Sequence, residues 1–274
     1  MRLLVALPLL LAACGSFPVP IDPLFKVSPY LANYQLRGKM SMQSPGPVNN
    51  PSQSLRQFGF GSHEDDVGVR ASLGDGLTGL NFDYYRLDMD TSRTGVLTDD
   101  FGTLGAGDTA TMSATMDEWR FGWMHEVYHH SASFRQDPLD MHVGLGAVYA
   151  YRNLRMRPRT VISASSPAPD PLPSQNIDLV GDAIYPSVRM RTVWRSLRFD
   201  FNYAISPDLQ LTGDYDGILQ DFETRFGYEL PYQDIEFFAG WRYSTLKGNG
   251  SNNGLGYDAD LKLDGFQFGM SVHF

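Results

Sequence analysis

Cysteine is nearly missing from this chain: Cys14 is the one example among 274 residues. No disulfide can form within it, so packing and hydrogen bonds must hold the fold. Long apolar runs are missing too. The stretch from Leu3 to Ala13, broken by Pro8, falls short of the ~20 residues that a membrane-crossing helix needs. Basic residues are scarce, with 22 Lys and Arg against 31 Asp and Glu for a formal charge of −9. Without a basic run, nucleic acid is not expected as a partner. The mean hydropathy of −0.26 does not argue against a membrane barrel, in which alternate residues alone face lipid.

The amino-terminal residues carry an address. Met1-Arg2 gives one positive charge, the short apolar run follows, and Leu11-Ala12-Ala13-Cys14 leads into Gly15-Ser16. Residues 1–13 read as a secretory signal removed on maturation. Leu11-Ala12-Ala13-Cys14 resembles the bacterial lipobox. That resemblance implies cleavage before Cys14, diacylglycerol on its sulfur, acylation of its amine by a chain such as palmitate, and handling by lipoprotein-sorting machinery. Phe17-Pro18-Val19-Pro20-Ile21-Asp22-Pro23 predicts a proline-rich tether within residues 14–33.

From about Tyr34 to Phe274 the dominant signal is alternation with a period of two. Phe222, Thr224, Phe226, Tyr228 and Leu230 share one face, and Asp221, Glu223, Arg225, Gly227 and Glu229 the other. Similar runs occur at 141–155, 197–206 and 235–247, each near the ~9–11 residues of a tilted membrane-crossing strand. About ten strands are expected, eight or twelve fitting as well: 34–44, 56–73, 77–90, 116–129, 141–155, 183–193, 197–206, 218–230, 235–247 and 257–274. The second and last change parity part-way, which predicts a bulge or bend in each.

Connections alternate between short and long, the asymmetry of periplasmic turns against extracellular loops. The expected fold is therefore all-β: a closed antiparallel transmembrane β-barrel with both termini periplasmic. Closure follows from the solvent, because an unpaired backbone group in hydrocarbon costs several kcal/mol.

Phe266, Phe268, Met270, Val272 and Phe274 occupy one face up to the last residue. This resembles the carboxyl-terminal signature of bacterial outer-membrane barrels, and implies recognition by the barrel-assembly machinery. More loosely, the strand pattern and this segment resemble the small barrels of the OmpW/OmpX-like group, a likeness that transfers no functional residue. Outer-membrane lipids and lipopolysaccharide are the partners it implies. Trp119, Trp123, Tyr128, Tyr149, Tyr151, Tyr228, Trp241 and Tyr243 suit the two interfacial girdles of such a barrel.

A lumen of about ten strands is narrow enough for side chains to fill. The inward faces carry Glu118, Arg120, Arg152, Asp200, Asp221, Glu223, Arg225, Glu236 and Arg242, with Glu126 in addition. Charges of both signs predict a mutually paired plug in preference to an ion path. His125-Glu126-Val127-Tyr128-His129 spells the zincin pattern, which requires a helix to bring two imidazoles to one zinc. Its flanks alternate as a strand, so His125 and His129 would lie about 13 Å apart. No metal ligand, catalytic residue or cofactor is assigned, His142 being noted as a third histidine nearby. Acidic groups at Glu64-Asp65-Asp66, Asp99-Asp100 and Asp214 with Asp216 read as loop charge or weak Ca²⁺ sites. The expected function is structural, surface-contact or minor transport. Two alternatives stand beside it: a barrel hydrolase (omptin-like or lipid-modifying), and a lipid-anchored soluble β-sandwich or lipocalin-like binding protein.

Overall fold

A computed structural model describes residues 25–43, 51–90, 93–162, 176–207, 210–214, 218–231, 233–252 and 255–274. It contains thirteen strands and one short 3-10 turn. These are β1 (Phe25–Met42), β2 (Gln53–Ser54), β3 (Glu64–Gly74), β4 (Gly79–Asp90), β5 (Gly95–Val96), β6 (Thr109–Phe134) and β7 (Asp137–Ile162). They continue with β8 (Ile177–Trp194), β9 (Leu197–Pro207), β10 (Gln210–Gly213), β11 (Ile218–Glu229), β12 (Ile235–Asn252) and β13 (Leu255–His273). Among the described residues no helix is long and apolar enough to cross a membrane, which bears on helices alone.

All described pairings are antiparallel, and ten strands close into a ring. Its order is β1-β3-β4-β6-β7-β8-β9-β11-β12-β13, with β13 pairing back onto β1. The short β2 and β5 lie on β1 and β6, and β10 prolongs the line of β9 along β8. Paired residues followed from Gly74 lead through Gly79, Met124, Gly146, Ser187, Ala204, Asp221, Ser244 and Leu263 to Leu36. Gly74 follows Leu73, the partner of Phe25, so one circuit climbs β1 by 36 − 24 = 12 residues. With a rise of ~3.3 Å per residue and ~4.8 Å between strands, that stagger tilts the strands by about 40°.

The two termini of the ring meet: Phe274 N–H donates to Phe25 O at 2.8 Å. The tight connections 75–78, 135–136, 195–196 and 230–234 lie at this same end; the long connections lie at the other, where β12 and β13 are nevertheless joined by two residues in place of the longer 248–256 connection read from the sequence.

Polarity inverts along the barrel axis. In the half nearest the termini, outward positions are apolar: Leu31, Val67, Trp119, Phe121, Phe199, Phe226, Phe237, Phe266 and Phe268 are all at least 46% exposed. They form a belt about seven to nine residues deep, or about 20 Å at this tilt. In the loop half the same strands turn polar outside and apolar inside. On β13, Asp258, Asp260 and Lys262 are exposed while Tyr257, Ala259, Leu261 and Leu263 are buried. Arg155, Arg157 and Arg159 on β7 are likewise exposed, opposite buried Leu154 and Met156.

This inversion explains the apparent parity change in the last strand. Strand β13 holds one unbroken register with both neighbours. The change at Gly265 is one of surroundings, with no bulge in the backbone. The other expected parity change, in 56–73, corresponds to a 3-10 turn (Leu55–Phe58) followed by β3. Real register shifts occur at Glu126/Tyr128, Thr109/Ala110 and Gln210/Thr212. The first strand begins at Phe25, inside the stretch read as tether. Pro29 obscured it, since a proline cannot donate to a ladder. Cys14 and Asp216 lie outside the described residues.

Candidate functional site

The nine lumen positions read from the sequence all carry ion pairs inside the ring. At the centre Glu118 takes Arg152 Nε on one oxygen at 2.6 Å and Arg242 Nη2 on the other at 2.5 Å. Asp221 accepts from Arg242 Nη2 at 2.7 Å and lies 3.5 Å from Arg120 Nη1. Tyr85 OH donates to Glu118 at 3.0 Å, while Arg152 Nη1 donates to Tyr185 OH at 2.7 Å. The residues come from β4, β6, β7, β8, β11 and β12, and meet because alternate positions on a narrow ring point at one axis.

Toward the termini the network continues. Arg70 binds Glu223 at 2.5 Å and Asp83 at 3.2 Å. Asp200 takes Arg191 at 2.7 Å and Arg198 at 2.9 Å. Glu236 takes Arg198 at 3.0 Å and Lys26. The ring of Tyr30 lies where a Cβ on Gly68 would sit, which requires glycine there, and its hydroxyl donates to Asp83 at 2.9 Å. Among these residues, the lumen set read from the sequence omitted Lys26, Arg70, Asp83, Arg191 and Arg198. Lys26 lay in the stretch read as tether, and Arg70 in a segment whose parity was misjudged.

Among the described residues, connections fold across both ends of the lumen. The turn 75–78 is tied at the terminal end by Arg189 donating to Gly76 O at 2.5 Å and Arg191 donating to Asp75 O at 2.6 Å. A cavity of about 100 Å³ remains between this turn and the network, lined by Arg70, Asp83, Arg120, Arg189, Asp200 and Glu223 among others. At the loop end Leu55, Phe58, Phe60, Leu97, Phe101 and Leu104 are buried, with the Phe58 and Phe101 rings edge-to-face at 4.9 Å. Gln57 and Ser54 close this connection with a reciprocal capping box.

A second cluster lies at the rim nearest the termini. Beyond Met124, the last β6 residue paired with β4, β6 runs on with β7 as the edge of a tongue ending at the turn 135–136, while β7 keeps β8 on its other side as far as Leu139. The bulge at Val127 returns Glu126 and His129 to one face, where His142 faces His129 across the ladder. The two imidazoles stack at 4.3 Å with 5° between their planes, and His142 Nδ1 lies 3.2 Å from Glu126 Oε2. Farther along the same face, Ser131 donates to Asp140 at 2.5 Å, and Asp140 lies 3.6 Å from His129 Nε2. The Ser131 hydroxyl holds the Asp140 carboxyl below its ordinary range. His125 faces the opposite side and stacks on Trp123 at 6.3 Å. The zincin pattern is thus on a strand, and its two histidines are separated.

The other sequence motifs make different contacts. Phe266, Phe268, Met270 and Phe274 are exposed on the outer face. The acidic groups of the loop half serve local structure. Asp65 accepts from Asn33 at 2.6 Å, Asp99 from Thr98 at 2.9 Å, Asp100 from Ala106 N–H at 2.9 Å, and Asp214 from Val180 N–H at 3.2 Å. The ion-pair contacts of histidine with carboxylate among the described residues are His129–Asp140, His142–Glu126 and His273–Glu236, all near the terminal end.

No protein-family model and no curated protein matches the chain. Solved structures with a similar course exist. The outer-membrane protease OmpT from Escherichia coli aligns at 9% identity over 95% of this chain and 99% of its own, with a TM-score of 0.49. The translocator domain of the autotransporter NalP from Neisseria meningitidis aligns at 12% identity over 100% and 96%, with a TM-score of 0.41. The toluene transporter TodX of P. putida gives 6% identity, 93% and 91%, and 0.30. At these values the comparisons transfer no activity.

Proposed function

We propose that this chain is a plugged outer-membrane β-barrel. The apolar belt sits in lipid, the polar half stands outside the cell, and the termini lie in the periplasm beside a lipid anchor on Cys14. Its role is structural or one of surface contact. The observation that carries this reading is the filled lumen: buried ion pairs block the belt half and an apolar core blocks the loop half. The belt supports membrane insertion, because exposed apolar surface of this extent is rare on soluble monomers. A soluble sandwich or lipocalin-like cup would bury its aromatics and keep its charges outside, the reverse of this half.

Planar-bilayer recording on the purified protein should show no stepwise conductance at moderate voltage; regular ion-conducting steps would refute the plugged lumen. In detergent gels the unheated protein should migrate apart from the boiled one, as membrane barrels do. Radiolabelled palmitate should enter the wild-type chain and not the Cys14→Ser variant.

The hydrolase reading is less well supported. An omptin-like centre would need acidic and histidine side chains together at the loop end, where the acidic groups instead satisfy local backbone and side-chain donors.

A further inference from the structure

The geometry points to a binding site for a borderline divalent transition metal, Zn²⁺ being the reference ion, formed by Glu126, His129 and His142 at the terminal rim. One ligand atom from each lies within 4.8 Å of the other two. A tetrahedral zinc with bonds of about 2.0–2.2 Å holds its ligand atoms about 3.4 Å apart. His129 is exposed and the other two are half-buried, so small side-chain rotations close the difference without moving backbone. Two imidazoles and one carboxylate are a donor set suited to zinc, copper or nickel, and a poor one for calcium or magnesium.

Three independent features of the backbone converge on this arrangement. His129 and His142 are directly opposed across the ladder, the spacing at which side chains meet. The extra residue Val127 changes the facing of everything after it, which brings Glu126 alongside. Thr78 fixes the strand there, its hydroxyl accepting from Glu126 N–H at 3.1 Å. Asp140, braced by Ser131, lies within reach of the His129 ring as a positioning residue. A carboxylate placed behind a metal-bound imidazole fixes its orientation. Three protein ligands leave a coordination position open to water or to a further group. The site depends on the membrane reading only for its compartment, which that reading makes periplasmic.

The test uses the full chain without an affinity tag, stripped with chelator and kept in detergent. Titration calorimetry should find one Zn²⁺ per chain, and Co²⁺ should give the visible absorption of a low-symmetry site with nitrogen ligands. His129→Ala and His142→Ala should each abolish the calorimetric signal and the Co²⁺ band, and Glu126→Gln should weaken both. Asp140→Asn should lower affinity by about 10-fold or more. The heat-dependent gel shift should persist in every variant, separating lost metal from lost fold. A His125→Ala/His130→Ala control, whose rings face the other side of the tongue, should bind as wild type. Unchanged Zn²⁺ stoichiometry in His129→Ala/His142→Ala, or equal loss in the control, would overturn the assignment.

Discussion

Glu118 illustrates what a single side chain can commit a closed β-barrel to. It is fully buried and shares its two oxygens between Arg152 and Arg242. Such pairs are weak evidence for stability, because desolvation offsets most of their attraction. Breaking one is a different matter. Glu118→Ala would leave Arg152 and Arg242 sharing the one carboxylate of Asp221 in the buried lumen and should cost about 3 kcal/mol of folding free energy. Urea unfolding in lipid vesicles would read this as a lowered midpoint, and an unchanged midpoint would mean that water fills the lumen. Nine residues of this network were legible in the sequence because inward and outward positions alternate. Their partners were not. Arg242 and Glu118 are 124 positions apart, and nothing local to either strand tells which charge meets which across a closed ring.

Among the elements, β6 is where periodicity misleads. One inserted residue, Val127, lets Glu126 and His129 share a face that strict alternation denies them. A sequence reader who extends the alternation through this point separates the two and sees no site; the clue available was a third histidine on the next strand. Deleting Val127 should remove the bulge and leave Glu126, Tyr128 and His129 opposite Gly144, Val143 and His142 in a regular ladder. The expected result is a protein with an unaltered gel shift that still takes up zinc, and loss of uptake would mean that the bulge itself shapes the site. The opposite error occurred on β13, where a change in the apolar face suggested a bulge and the ladder has none. An irregular backbone and a change of surroundings leave the same trace in a hydropathy pattern. They separate only when the neighbouring strands are known.

For the whole molecule, the inversion near Gly265 gives one continuous sheet two outer surfaces, one apolar and one polar. Ring closure and strand order could be read from the sequence, since alternation, turn lengths and the carboxyl-terminal face agree. The apolar interior of the loop half could not, because it reverses the rule that the other half obeys. The division makes the effect of a surface charge depend on height. Phe226→Arg, in the belt, should reduce folding stability in bilayers by about 2–4 kcal/mol if it lies near the midplane. Asp260→Arg, on the polar half of β13, should change it by about 0.5 kcal/mol or less. Equal effects at the two positions would place the lipid boundary elsewhere. The polar half rises about 25 Å above the belt as paired strands with a core of their own, so the described part of what the cell would present is folded sheet. Antibodies raised against synthetic loop peptides should therefore recognise intact bacteria poorly. Sera against the folded protein should bind well and lose that binding when the antigen is boiled.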